Sequence, residues 1–118
     1  MVEVTFKHDP EQRSLHLSAI GHAGYAPIGN DIVCAAASIL ATTVAQIVKA
    51  MEAHGDLEEE PIIKLEEGNA VVACKVKEKA VFAEALHTYF VAQVGYRLLA
   101  HSYPEYVKLI TIGEPFEA

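Results

Sequence analysis

The chain is poor in cysteine, with Cys34 and Cys74 as the only two in 118 residues. Two thiols build no disulfide framework, and their wide separation matches no paired metal knuckle, so a reduced, intracellular setting is expected. Basic residues are scarce as well. Nine Lys and Arg face sixteen Asp and Glu, for a formal charge of -7. No basic stripe with interleaved aromatics offsets the acids at Glu58, Glu59, Glu60, Glu66 and Glu67. Such a surface repels a phosphate backbone, and direct nucleic-acid binding is not expected. The start, Met1 to Pro10, lacks a basic segment leading into an apolar run. Neither secretion nor organelle import is therefore expected, and the cytoplasm is the default compartment. The longest uncharged, mainly apolar stretch, Ile32 to Val48, is interrupted by Ser38, Thr42, Thr43 and Gln46. It falls short of the about 20 apolar residues that span a bilayer, reads as a buried helix, and implies no membrane partner.

What the chain does have is 52% hydrophobic residues. A chain of this length hides roughly two-thirds of its unfolded surface, enough for one core, so a single domain over residues 1–118 is expected. Val2, Val4 and Phe6 alternate with polar neighbours, as do Leu15, Leu17 and Ala19. These are two half-buried strands, joined through the polar turn His8 to Arg13 as an antiparallel hairpin. Three glycines and Pro27 then break all periodicity between Gly21 and Gly29, which reads as a mobile loop. Asn30 or Asp31 caps a helix running to about Ala53, where His54-Gly55 is a stop signal. A polar linker, Asp56 to Glu60, leads into a second hairpin of Ile62 to Leu65 and Ala70 to Val76, turning at Glu67-Gly68-Asn69. A second helix covers about Glu78 to Leu99, with Gly95 as a weak point near its end. Tyr106 to Ile112 makes a fifth strand, and Gly113-Glu114-Pro115 ends regular structure. The order is ββαββαβ. It predicts an α+β fold, a mainly antiparallel sheet packed with two long helices as a layered sandwich.

The first half of the first helix, Ile32 to Leu40, is apolar or small nearly all round. A helix on the sheet of a small monomer has a polar outer face, so the second helix and a symmetric partner are expected to cover the rest. A homodimer follows from that expectation.

The segment Gly21 to Ser38 carries the chemistry. It puts His22 at the exit of a strand and Cys34 in the first turn of a helix. Backbone N–H groups and the helix dipole favour a thiolate there, and a nearby imidazolium favours it further. Cys34 is the expected nucleophile, and His22 its proton acceptor and later the acid that protonates the leaving amine. Backbone N–H groups beside Cys34 are candidates for an oxyanion site. Asp31, Cys34 and Ser38 share one helix stripe. Asp31 either caps the helix or orients His22, and its charge one turn from Cys34 disfavours the thiolate. Ser38 is expected to hydrogen-bond within the helix or to the loop. The structural alternative is that Cys34 is an inert core thiol and His22 a loop residue; Cys74, alternating with Val72 and Val76, is read as core. A zinc site needs three or four converging ligands, and His8, His16, His54, His87 and His101 show no ligand spacing. No metal and no cofactor are expected.

The stretch GHAGYAPIGNDIVCAAAS closely resembles the signature of the ribosomal-processing cysteine protease family, Prp, and length and element order fit that family over essentially the whole chain. The resemblance implies a catalytic dyad of His22 and Cys34, supported by Asp31 and Ser38. It implies a homodimer whose glycine-rich loop (Gly21, Gly24, Tyr25, Pro27, Ile28, Gly29) moves over the site and orders with substrate. The implied partner is ribosomal protein twenty-seven of the large subunit, whose N-terminal extension is cut after paired phenylalanines and before alanine, ahead of ribosome assembly. Ala37 stands where valine is more usual, and Pro27, Ile28 and Asn30 fall in the variable part of the loop; none removes a catalytic group. Two rival readings use the same residues: a thiol redox sensor at Cys34, which the missing resolving cysteine disfavours, and a non-catalytic ribosome-assembly module that holds a peptide.

Overall fold

A computed structural model describes residues 1–112, so the expected end of regular structure at Gly113 to Pro115 lies outside the described residues. The first hairpin is Val2–Asp9 (β1) and Ser14–Ile20 (β2), antiparallel, with Phe6 opposite Leu17. Val2, Val4 and Phe6 are buried, as are Leu15, Leu17 and Ala19, as period-two alternation requires. β1 runs two residues further into the expected turn than the polar sequence indicates. The reversal is made by Asp9, whose Oδ1 accepts the N–H of Glu11 at 3.0 Å and of Gln12 at 3.3 Å.

The second hairpin is Ile62–Glu66 (β3) and Asn69–Lys75 (β4), and β5 is Val107–Ile112. β4 pairs with β2 as well as β3, and β5 joins β1 in parallel, giving the sheet order β3-β4-β2-β1-β5. The expected polar linker is more structured than its composition suggests. Leu57 is buried and forms an isolated bridge to Val76, and Lys77 N–H donates to the Asp56 carbonyl at 3.0 Å.

Both helices match expectation in place and nearly in length: Ile32–Ala53 (α1) and Lys79–Ser102 (α2). α1 ends at His54 followed by Gly55 in the left-handed region, a helix stop. α2 passes through Gly95 without breaking. The reason is packing: a Cβ on Gly95 would lie 2.8 Å from Leu40 Cδ2, so the bare backbone makes room for α1. One residue on, the buried Tyr96 hydroxyl donates to the Ala37 carbonyl of α1 at 2.6 Å.

The core is a single layer between sheet and helices. Val4, Leu17 and Val72 from the strands meet Val33, Val44 and Val48 from α1 and Phe82, Tyr89 and Tyr96 from α2. Cys74 lies in this layer, 6% exposed, its sulfur 3.8 Å from the Tyr89 hydroxyl. The opposite sheet face carries the exposed Glu3 and Lys7 and the half-buried His16 and Ser18. α1 alone among the described residues is long and apolar enough to cross a membrane, but it buries Val33, Ala37, Ala41, Val44, Ala45 and Val48 in the core. Its outer side remains apolar: Ile32 is 56% and Ile39 62% exposed, and Val91 and Leu98 of α2 are exposed too.

Candidate active site

Asp31 organises the site. Its backbone is extended and its Oδ1 accepts the N–H groups of Val33 and Cys34, both at 2.9 Å, which caps α1. Its Oδ2 accepts the N–H groups of Tyr25 at 3.0 Å and Ala26 at 3.2 Å. One buried carboxylate thus fastens the loop to the helix start. Burial pushes this carboxyl up, but the N–H groups of Cys34, Ala26, Tyr25 and Val33 together outweigh it and hold the group below the ordinary aspartate value. Of the two roles expected for Asp31, the structure supports the cap; both oxygens accept backbone N–H groups, and among the described residues Asp31 makes no hydrogen bond to His22.

Cys34 is the third residue of α1 and half-buried. Its sulfur accepts the N–H of Ala23 at 3.3 Å, which turns Sγ towards the loop. The oxyanion expectation needs correction here. The N–H groups of Val33 and Cys34 are held by Asp31 Oδ1, and that of Ala35 by the Asp31 carbonyl at 3.0 Å. The first turn has therefore already committed the donors that helix position alone promised.

His22 leaves the end of β2 exposed to solvent. Its carbonyl accepts the Met1 amine at 2.6 Å, and the preceding Gly21 N–H donates to the Gly68 carbonyl at 2.9 Å. The ring lies against Gly68 in the β3–β4 turn. Among the described residues, neither the His22 ring nor the Cys34 sulfur hydrogen-bonds the other. They nevertheless border one cavity of about 570 Å³, whose lining also includes Gly21, Gly24, Pro27, Ile28, Gly29, Asp31 and Ser38.

Three features depart from the sequence reading. The Tyr25 ring is not in the cavity wall; it packs edge-on against Tyr103 and Tyr106, with ring centroids 5.4 and 5.3 Å away. It anchors the loop to the α2–β5 connection. Ser38 is exposed in the wall one turn after Cys34, and among the described residues its hydroxyl makes none of the expected hydrogen bonds. Glu66, Glu67, Gly68, Asn69 and Ala70 supply a further wall that the sequence does not point to. Its only sequence signal was a turn, and nothing local tells which loop a turn will face. No group of three or more metal-ligating side chains converges among the described residues.

Fold and site together define a class: a two-layer α+β protein in which a helix-start thiol and a strand-exit imidazole border one largely apolar cavity beneath a glycine-rich loop. The chain matches the family described as Cysteine protease Prp over residues 1–108, and it belongs to that family. Among solved structures it is similar to the essential ribosomal processing protease Prp from S. aureus in complex with a covalently linked product peptide. That match has 21% identity and a TM-score of 0.69 and covers 95% of this chain and 100% of that one. The same S. aureus protease in complex with a substrate peptide matches at 19% identity and a TM-score of 0.65, covering 95% and 100%. SMU.848 from Streptococcus mutans matches at 23% identity and a TM-score of 0.64, covering 97% and 96%. At these identities the likeness is one of fold. No curated protein matches the chain.

Proposed function

We propose that the chain is a cysteine endopeptidase acting through a dyad of Cys34 and His22. The observation that carries the reading is that these two side chains, from the two ends of one loop, border the same cavity. His22 takes the thiol proton as Cys34 Sγ bonds to the scissile carbonyl carbon; the peptide C–N bond breaks, and the same proton goes to the leaving amine. Water then adds to the thioester and releases the new carboxylate and the thiol. The gap between the two side chains is in keeping with unliganded enzymes, whose catalytic hydrogen bonds tighten when substrate arrives.

The substrate is the N-terminal extension of large-subunit ribosomal protein twenty-seven, cut after Phe-Phe and before Ala, in the cytoplasm and ahead of ribosome assembly. Three observations support this reading. The chain belongs to the Prp family, its S. aureus neighbour is a ribosomal processing protease, and the cavity is large and apolar enough for bulky side chains. The working unit is a homodimer, a reading supported by the exposed Ile32 and Ile39 of α1. Mass spectrometry of an extension peptide containing Phe-Phe-Ala, incubated with the protein and with its Cys34→Ala variant, tests the assignment. A single cut between Phe and Ala that is absent from the variant is expected. Turnover retained by Cys34→Ala overturns the nucleophile, and binding without any new terminus turns the protein into a peptide-holding module.

A further inference from the structure

We infer that Gly68, in the turn between β3 and β4, is a positioning residue for His22: the missing side chain at position 68 is the seat that the imidazole occupies. The inference rests on the proposed catalytic role of His22. A Cβ built on Gly68 would stand 2.7 Å from His22 Nε2, 3.0 Å from Cε1 and 3.4 Å from Cδ2. Three ring atoms therefore fill the space that any other residue would occupy.

The turn cannot easily withdraw to make room. Gly68 accepts the Gly21 N–H at 2.9 Å, and the next residue, Asn69, is paired with Ile20 on one side and Glu66 on the other. The backbone that carries His22 is equally fixed. Gly21 is tied to the turn, the His22 carbonyl receives the Met1 amine, and the Ala23 N–H is on the Cys34 sulfur. The exposed ring is the one part free to yield, and among the described residues no hydrogen bond holds it. The bare glycine leaves open the space in which Nε2 stands, and among the described residues no carboxylate hydrogen-bonds the ring. Position 68 thus works on the reaction through His22 without touching the reacting atoms.

Gly68 also has φ +72°, so a substitution there strains the backbone as well as meeting the ring. Gly55 separates the two effects, because its φ is +77° and a Cβ there has open space. Asparagine separates them again, since it tolerates the left-handed region but carries a Cβ. The experiment compares Gly68→Ala, Gly68→Asn, Gly55→Ala and His22→Ala. Three readouts are taken: cleavage of the Phe-Phe-Ala peptide, iodoacetamide alkylation of Cys34 across pH, and nuclear Overhauser contacts from the His22 ring to residue 68. Gly68→Ala and Gly68→Asn are expected to stay folded and lose about tenfold or more in kcat, because small misplacements of a catalytic group are that costly. Their alkylation–pH curves should move to that of His22→Ala, whereas Gly55→Ala keeps the wild-type curve and kcat. Wild-type kinetics in Gly68→Ala, or recovery in Gly68→Asn, overturns the seat. If His22→Ala itself cleaves normally, the dyad reading fails instead. In that case the ring contacts to residue 68 in the unsubstituted protein still report on the seat: their presence supports it and their absence overturns it.

Discussion

Asp31 was legible as a helix cap because it precedes an apolar run at the spacing a cap needs. Its second duty was not legible. The loop returns to the carboxylate by way of Gly24 and Gly29, at φ values of +73° and +93°, with the Tyr25 and Ala26 N–H groups on Oδ2. Asp31→Asn keeps one side-chain oxygen and separates these duties. With that oxygen on α1, hydrogen exchange at Val33 and Cys34 is expected to stay slow while exchange at Tyr25 and Ala26 speeds up. Uniform loss at all four amides would show that the two oxygens act as one unit. The pH dependence follows in sign from the depressed folded value. Stabilisation by Asp31 is fully present above its ordinary value of 3.8 and is lost as pH falls through the lower folded value. Amide exchange at Tyr25 and Ala26, followed down the acid range and compared with Asp31→Asn, checks this. The pair His22 and Cys34 was readable as residue types on a loop and a helix start. The seat on Gly68 was not, because it depends on a pairing between β2 and β4 that no local pattern encodes.

Element boundaries followed the sequence at the capped and glycine-stopped ends of α1, at Asp31 and Gly55. At the end of α2 they fell short by less than one turn, the helix running to Ser102 against the expected Leu99. Gly95 reads as a weak point inside the expected helix, and α2 passes through it with Leu40 of α1 packed over the bare backbone. Gly95→Ala sets these effects against each other. Alanine gains about 1 kcal/mol of helix propensity, and the clash at 2.8 Å is with the far end of a half-buried, flexible leucine. The expected outcome is unchanged or raised stability, by up to about 1 kcal/mol, in a denaturant titration. A loss beyond about 1 kcal/mol would mean that Leu40 cannot rotate away and that α1 and α2 are locked at this contact.

At the scale of the molecule, the ββαββαβ order and the two layers could be read from periodicity, but the strand order could not. Nothing in Val107–Ile112 says that it pairs in parallel with β1 and not with the β3 edge. The all-round apolarity of α1 was readable too, and the fold covers only one of its sides. In the proposed homodimer the exposed Ile39 is covered. Ile39→Glu is therefore expected to keep the circular dichroism spectrum and to sediment as a monomer, against a dimeric parent. A parent that is already monomeric at assay concentration removes the dimer from the proposal.

The cavity joins residues from the first strand, the loop and α1 to the turn at residues 66–70. During synthesis the thiol and the imidazole leave the ribosome before that turn does, and the chain must extend far enough for β4 to pair with β2 before His22 meets Gly68. The thiol and the imidazole are thus made early and their setting late. A half-made chain carries Cys34 and His22 without the cavity wall, and on the proposed function the site is complete only once β4 has paired with β2.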